Sequence, residues 1–299
     1  MNIQIIELKK QFRELANKTV KDRKDRRRMF LALEKAEIIH KSQQRQSGDA
    51  YILHPISVAI DLQKAYGDPN LTIAGLLHDV VEDGENVNLK KVCRTFGKDV
   101  CFLVDSVTKT ILHYEGEKKM FNDKLEKTLW GGMKDVRALL LKLHDRENNL
   151  SDLENLMPHK QIRMSFETQA IYFPVREILK TGKTDSIAEI ESVFKKFLED
   201  NKIENENEFK DFLFQKSYLD FNKHIYDIVY KNSDKIIWTV SDVDFCRKLC
   251  QNDGFDISSR NVCFHYDGRN FRADFIFKKG FVIEKQEAKF ELTNFHYSS

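Results

Sequence analysis

Within the run LLHDVVED, residues 76–83, four ionisable side chains interrupt an apolar pattern: His78, Asp79, Glu82 and Asp83. Burying four such groups is costly unless they pair with one another or bind a cation. Residues four apart share a helix face, so the spacing stacks His78 on Glu82 and Asp79 on Asp83. His78 and Asp79 have the chemistry of metal ligands. Glu82 and Asp83, ~5–6 Å further along a helix, stand where a base or a water-positioning group is needed. A metal held this way lowers the pKa of a bound water and polarises a phosphoryl oxygen.

Further ligands must come from elsewhere in the chain. Asp145 ends an apolar stripe of Met133, Val136, Leu139, Leu140 and Leu143, and Asn148, Asn149 and Asp152 follow at helical spacing. His54 lies in YILHP, just before Pro55, a position that marks a helix entrance. Two histidines and two carboxylates suit Mn²⁺, Fe²⁺ or Mg²⁺ better than a thiolate zinc site. Taken singly, each has a plainer reading: His54 as a hydrogen-bonded core histidine, Asp145 as a salt-bridge partner of Arg146, Asn149 as a cap or surface residue. The combination points to chemistry.

The elements that must position these residues are mainly helical. Ile73, Leu76, Leu77, Val80 and Val81 form the buried stripe of one helix, preceded by a turn at 68–70 and stopped by Gly84. From about residue 4 to 180 the pattern is helix after helix, with a break near Gly97, a polar loop at 115–119 and a kink at Pro174. Residues 180–186 read as a linker. Two or three helices follow to about 232, broken at NKIENENE; then come strand-like runs rich in aromatic and β-branched residues, with a hairpin signal at Asp267–Gly268. The expected fold is mainly α. An all-helical domain spans 1–182, and a smaller α+β region spans 186–299.

Composition narrows the function classes. The chain has 299 residues, 32% charged and 41% hydrophobic, with a net charge of +2, a soluble balance that gives no global case for nucleic acid. The basic stretch KDRKDRRR, 21–28, reads as a solvated helix face with internal acid–base pairing, with phosphate or RNA contact as the alternative. Five scattered cysteines do not read as a disulfide framework. There is no apolar run of ~18 residues and no signal-peptide core, so a cytoplasmic protein without a membrane span is expected.

At these motifs the sequence resembles the HD-type hydrolase domain of the Rel/Spo alarmone enzymes. RQSGDAYILHP (45–55) is similar to the family's R-K-S-G-E-P-Y-I-x-H-P, and AGLLHDVVED (74–83) to A-x-L-L-H-D-V-V-E-D. FGKDVCFLVDSVTK (96–109) resembles F-G-x-x-V-x-x-L-V-x-G-V-T-K, and KLHDRENNL (142–150) resembles K-L-A-D-R-L-H-N-M. The likeness spans roughly 30 to 180, in family order. It implies one Mn²⁺ held by His54, His78, Asp79 and Asp145, with Glu82 and Asp83 orienting or deprotonating the attacking water. It implies Arg45 beside the guanine base, Asn149 beside the nucleotide, and Ser47 and Tyr51 in the same pocket. The implied reaction removes the 3′-pyrophosphate of ppGpp or pppGpp.

The rim departs from the family pattern. Gln46 stands for a basic residue, Asn148 for histidine, and Ser151 and Asp152 for R-T. In IYFPVREIL only Tyr172 and Pro174 of the family's Y-A-P stretch remain. Lys109 and Arg146 are candidates for phosphate contact or for structural ion pairs. Residues 186–299 do not match the family's synthetase domain. Cys246, Cys250, Cys263 and His265 offer a minor zinc reading, with buried structural cysteines as the plain alternative. The altered rim leaves related substrates open: an adenosine alarmone, a 3′-pyrophosphorylated tRNA or the 2′-phosphate of NADPH. A different class is an antitoxin that neutralises a small alarmone-synthetase-like toxin by binding. A catalytically dead nucleotide sensor is a third, disfavoured because every presumed ligand and acid is present.

Overall fold

The computed structural model describes residues 3–83, 88–108, 112–114, 117–119, 124–180, 186–216, 244, 260–266 and 269–275. In chain order the elements are α1 (Ile3–Thr19), α2 (Arg23–Ile39), α3 (Leu53–Tyr66), α4 (Pro69–Leu77), α5 (Val80–Asp83), α6 (Leu89–Phe96), α7 (Lys98–Val107), β1 (Leu112–Tyr114), β2 (Glu117–Lys119), α8 (Lys124–Lys134) and α9 (Arg137–Ser151). A 3₁₀ turn (Leu153–Asn155), α10 (Pro158–Glu167), a π turn (Thr168–Tyr172) and α11 (Phe173–Leu179) come next. After them stand α12 (Ile187–Asp200), α13 (Glu206–Lys216), β3 (Arg260–Tyr266) and β4 (Arg269–Phe275). The described residues are mainly helical, as expected.

The chain forms two compact units, residues 1–148 with 180–209, and residues 149–179 with 210–299. The core of the first is α4. Every residue from Leu71 to Leu77 is buried, and α2, α3 and α7 pack on it, as a helix apolar on all sides requires. Gly75 lets α3 approach closely: a Cβ there would lie 2.8 Å from Leu62 Cδ1 and 3.3 Å from the Ala59 Cα. That approach brings together α3, which carries His54, and α4, which ends one residue before His78. Local chemistry sets the helix ends. Asp68 accepts from the Leu71 N–H to cap α4, with Pro69 in its first turn, and Gly67 ends α3 at φ 63°.

Several expectations are corrected. The helix over 73–83 is not continuous: α4 ends at Leu77 and α5 begins at Val80. His78 Nδ1 pairs with the Gly75 carbonyl at 2.8 Å, the acceptor that a continuing helix would offer to the Asp79 N–H. The stripe over 133–143 is likewise split, because Asp135 accepts from the Arg137 backbone N–H and caps a fresh helix, α9. Residues 117–119 of the expected polar loop are strand β2, antiparallel to β1. Cys93 and Cys101 form a disulfide, their Cα atoms 4.8 Å apart. Gly97, at φ 93°, turns the chain between their two helices. In the basic stretch, Arg26 donates to the Val20 and Lys21 carbonyls, while Arg28 pairs with Asp25 and donates to Asn70 and the Phe96 carbonyl. Two of its arginines thus serve the fold.

In the second unit, Leu150 and Leu153 are buried with Leu156 and Met164 against them. The π turn at Thr168–Tyr172 leads into α11, whose second residue is Pro174; its missing N–H and its ring disfavour a regular turn just before it. The hairpin signal at Asp267–Gly268 is matched by the pairing of Tyr266 with Arg269, though residues 267 and 268 lie outside the described residues. The side chains of Cys263, His265, Phe271 and Phe275 are not described, and Cys246, Cys250, Phe277 and Phe281 lie outside the described residues.

Candidate metal centre and active site

His54 enters from the first turn of α3, His78 and Asp79 from the break between α4 and α5, and Asp145 from the middle of α9. His54, His78 and Asp145 are buried. His54 Nε2 lies 3.1 Å from Asp145 Oδ1 and 3.8 Å from Asp79 Oδ2. His78 Nε2 lies 3.1 Å from Asp79 Oδ2 and 3.5 Å from Asp145 Oδ1. Ligands bonded at about 2.1 Å to one cation stand roughly 3.0–3.5 Å apart, so the three shorter spacings fit a shared divalent ion, while Asp79 sits closer to His78 than to His54. His54, His78 and Asp145 each offer a ligand atom within 4.8 Å of the others.

A second observation supports the fit. His78 Nε2 is buried and makes no hydrogen bond of acceptable geometry to the described residues. Buried polar atoms are rarely left so unless another partner completes them. Burial disfavours an imidazolium here, but the negative charge of Asp79, with Asp145 adding to it, pushes the His78 pKa from 6.5 up to about 10. Burial would raise both acids, yet the charge of His78 holds Asp79 far below the carboxylate range, and the charge of Lys142 does the same for Asp145. The pocket is a concentration of negative charge that demands a proton or a cation.

Neighbours hold these donors in place. Lys142 Nζ donates to Asp145 Oδ2 at 2.5 Å, leaving Oδ1 toward the two histidines. Tyr51 Oη donates to Asp79 Oδ2 at 2.7 Å. Asn148 Oδ1 lies 2.5 Å from His54 Nδ1 and accepts from Arg45 Nη1 at 3.3 Å. Glu82 follows in α5 and accepts from Lys124 Nζ at 2.8 Å. Beyond it the buried Lys127 donates to Asp105 Oδ1 at 2.7 Å and to Thr108 Oγ1 at 3.3 Å.

Of the other expected site residues, Arg146 is buried beside Asp145 in sequence, and Ser47 donates to Asp49 Oδ2 at 2.9 Å in a tight turn at Gly48. Asn149, Asp152 and Tyr172 belong to the second unit. The first two are half-buried and Tyr172 is buried in the π turn. The Asp83 side chain is not described, and Lys109 lies outside the described residues. Sequence reasoning missed Lys142 and Lys124. Lys142 was findable, since it stands one helical turn before Asp145. Lys124 stands 42 residues from Glu82 and carries no local signal.

A family model described as "HD domain" matches residues 32–180. Residues 32–180 belong to the HD domain family. Among curated relatives, this HD domain chain is 34% identical over 206 residues to the guanosine-3′,5′-bis(diphosphate) 3′-pyrophosphohydrolase of Borreliella burgdorferi, covering 65% of this chain and 31% of that protein. It is 36% identical over 137 residues to the bifunctional (p)ppGpp synthase/hydrolase SpoT of Escherichia coli, covering 46% and 19%. It is 40% identical over 149 residues to a GTP pyrophosphokinase of Streptomyces coelicolor, covering 50% and 17%. The match thus spans about a third or less of these relatives' length. Their names bear out the Rel/Spo-type resemblance of the HD domain. A solved structure titled as a metazoan ortholog of SpoT aligns over 58% of this chain and 94% of its own, at 23% identity and a TM-score of 0.39, too slight a likeness to argue from.

Proposed function

We propose that the HD domain, residues 1–182, hydrolyses the 3′-pyrophosphate of (p)ppGpp to GDP or GTP and pyrophosphate with Mn²⁺ as its cation. The observation that carries this reading is the cluster of His54, His78 and Asp145, with Asp79 Oδ2 3.1 Å from His78 Nε2 and Glu82 following in α5. A cation bound by those four side chains supplies Lewis acidity, which activates water and polarises a phosphoryl oxygen.

The chain's own residues supply the rest. Glu82 accepts the proton of the attacking water, and Lys124 fixes its carboxylate. Asp83 shares that role on the strength of the family motif. The water oxygen bonds to the phosphorus on the 3′ oxygen, the 3′ O–P bond breaks, and the 3′ oxygen leaves with the proton that Glu82 took from the water. Arg146 and Lys109 balance the charge of the pyrophosphoryl group as it passes from the 3′ oxygen to water. Arg45, Ser47 and Tyr51 line the base side; for Asn149, Asp152 and Tyr172 a nucleotide-binding role rests on the family motif alone. Residues 186–299 form an accessory α+β region, and the protein works in the cytoplasm. The membrane plays no part in this reading: no described helix is long and apolar enough to cross one.

A second reading keeps the chemistry and changes the substrate. It is favoured by Gln46, exposed where the family carries a cation, and by Asp152, a carboxylate where the family carries a hydroxyl. The candidates are an adenosine alarmone, the 2′-phosphate of NADPH and a 3′-pyrophosphorylated tRNA. The last is weakened because Arg26 and Arg28 already serve the fold. Antitoxin action on a cognate synthetase-like toxin fits if protection survives His78→Ala with Asp79→Ala.

The deciding experiment incubates the Mn²⁺-loaded protein with ppGpp and follows pyrophosphate, with Asp79→Ala as control. Release that the variant lacks supports the alarmone reading. A folded, metal-loaded protein that releases none overturns it and moves the related substrates forward.

A further inference from the structure

We propose that Asn148 is a positioning residue that fixes the metal-binding tautomer of His54 and ties it to Arg45. Three atoms carry the inference. Arg45 Nη1 and His54 Nδ1 both approach the same atom of the Asn148 amide, at 3.3 Å and 2.5 Å. A guanidinium has donors and no acceptor. The amide atom facing Arg45 is therefore the oxygen, which settles an orientation that an asparagine by itself leaves ambiguous.

The tautomer follows. An oxygen can only accept, so His54 Nδ1 carries the hydrogen and donates to it. In a neutral imidazole the other nitrogen, Nε2, then holds the lone pair. Nε2 is the atom that lies 3.1 Å from Asp145 Oδ1 and 3.8 Å from Asp79 Oδ2. Once neutral, as a bound cation requires, His78 would keep the same tautomer by a different route, its Nδ1 paired with the Gly75 carbonyl. A backbone carbonyl cannot turn over. The Asn148 amide can, and the Arg45 contact opposes it. Arg45 therefore bears on the cation pocket through Asn148, in addition to any contact it makes with a nucleotide.

The proposal rests on His54 being a ligand in the proposed hydrolase, so its test reads metal affinity and not turnover. The Mn²⁺ dissociation constant of the full chain is measured by competition with a chromophoric chelator, for wild type, Asn148→Leu and Asn148→Asp. Leucine keeps the volume and removes the acceptor; aspartate restores the acceptor. The expected result is an affinity about 10–100-fold weaker for Asn148→Leu, with recovery in Asn148→Asp. Wild-type affinity in a folded Asn148→Leu protein overturns the proposal. A wild-type protein that binds Mn²⁺ tightly but leaves ppGpp intact overturns the substrate reading alone. If Asn148→Leu does not fold, histidine ¹⁵N spectra of the Mg²⁺-bound wild type decide: a proton on His54 Nδ1 is expected, and a proton on Nε2 overturns the assignment.

Discussion

Lys124 Nζ donates to Glu82 Oε1 at 2.8 Å, bridging α8 to the short helix that follows the cation pocket. Both side chains are largely shielded, at 24% and 15% exposure, so the pair is more than a screened surface contact. It holds the proposed proton acceptor in one rotamer. Lys124→Met is expected to lower kcat by about tenfold, ~1.4 kcal/mol of transition-state stabilisation, while KM changes little. Steady-state kinetics on ppGpp decide. A rise in KM at constant kcat would make Lys124 a substrate-binding cation instead.

Lys142 and Asp145 form an i, i+3 pair whose geometry presents Asp145 Oδ1 to both histidines. Lys142→Ala frees that carboxylate to rotate. The expected outcome is weaker Mn²⁺ binding by about 10–100-fold, with turnover recovered at saturating metal. Asp145→Ala, in contrast, is expected to lose turnover at every Mn²⁺ concentration. An activity titration against free Mn²⁺ separates the two.

Metal binding should be coupled to proton release. With its pKa pushed up to about 10, His78 in the cation-free protein holds its proton at pH 7. A cation binds the neutral imidazole, so about one proton leaves per ion bound. The sign is fixed: apparent affinity rises with pH across the range from 6.5 toward 10 and levels off above it. Calorimetric titrations in buffers of different ionisation enthalpy read the proton count directly. Binding that does not depend on pH in this window would show that His78 is neutral before the metal arrives.

The buried pair of Lys127 with Asp105 offers a stability test away from the cation. Both side chains are almost fully enclosed, and burial lowers the Lys127 pKa despite its partner. Removing one member leaves a buried charge without its ion-pair partner. Lys127→Met is expected to cost ~3–5 kcal/mol, and adding Asp105→Leu should restore much of it. Urea unfolding of the two variants measures this. A double variant no more stable than the single one would mean that the pair is held for more than charge balance.

The helical class and the candidate donors are legible in the chain alone. A divalent site needs particular donors, and His54, His78, Asp79 and Asp145 stand out because an apolar stripe carries such groups only for a reason. Periodicity likewise marks the buried faces of α3, α4 and α9, because a helix core repeats along its own length. Lys142 was within reach of the same logic, one turn from Asp145. Tertiary structure decided the rest. An unbroken helix predicts Glu82 stacked one turn from His78. The helix breaks instead, because the His78 ring takes the Gly75 carbonyl, and no spacing rule contains a side chain capturing its own backbone. Lys124 meets Glu82 across 42 residues, and Asn148 joins His54 to Arg45 across 94 and 103. Contacts between separate elements depend on how α8 and α9 pack beside the pocket, and packing is a property of the folded chain as a whole.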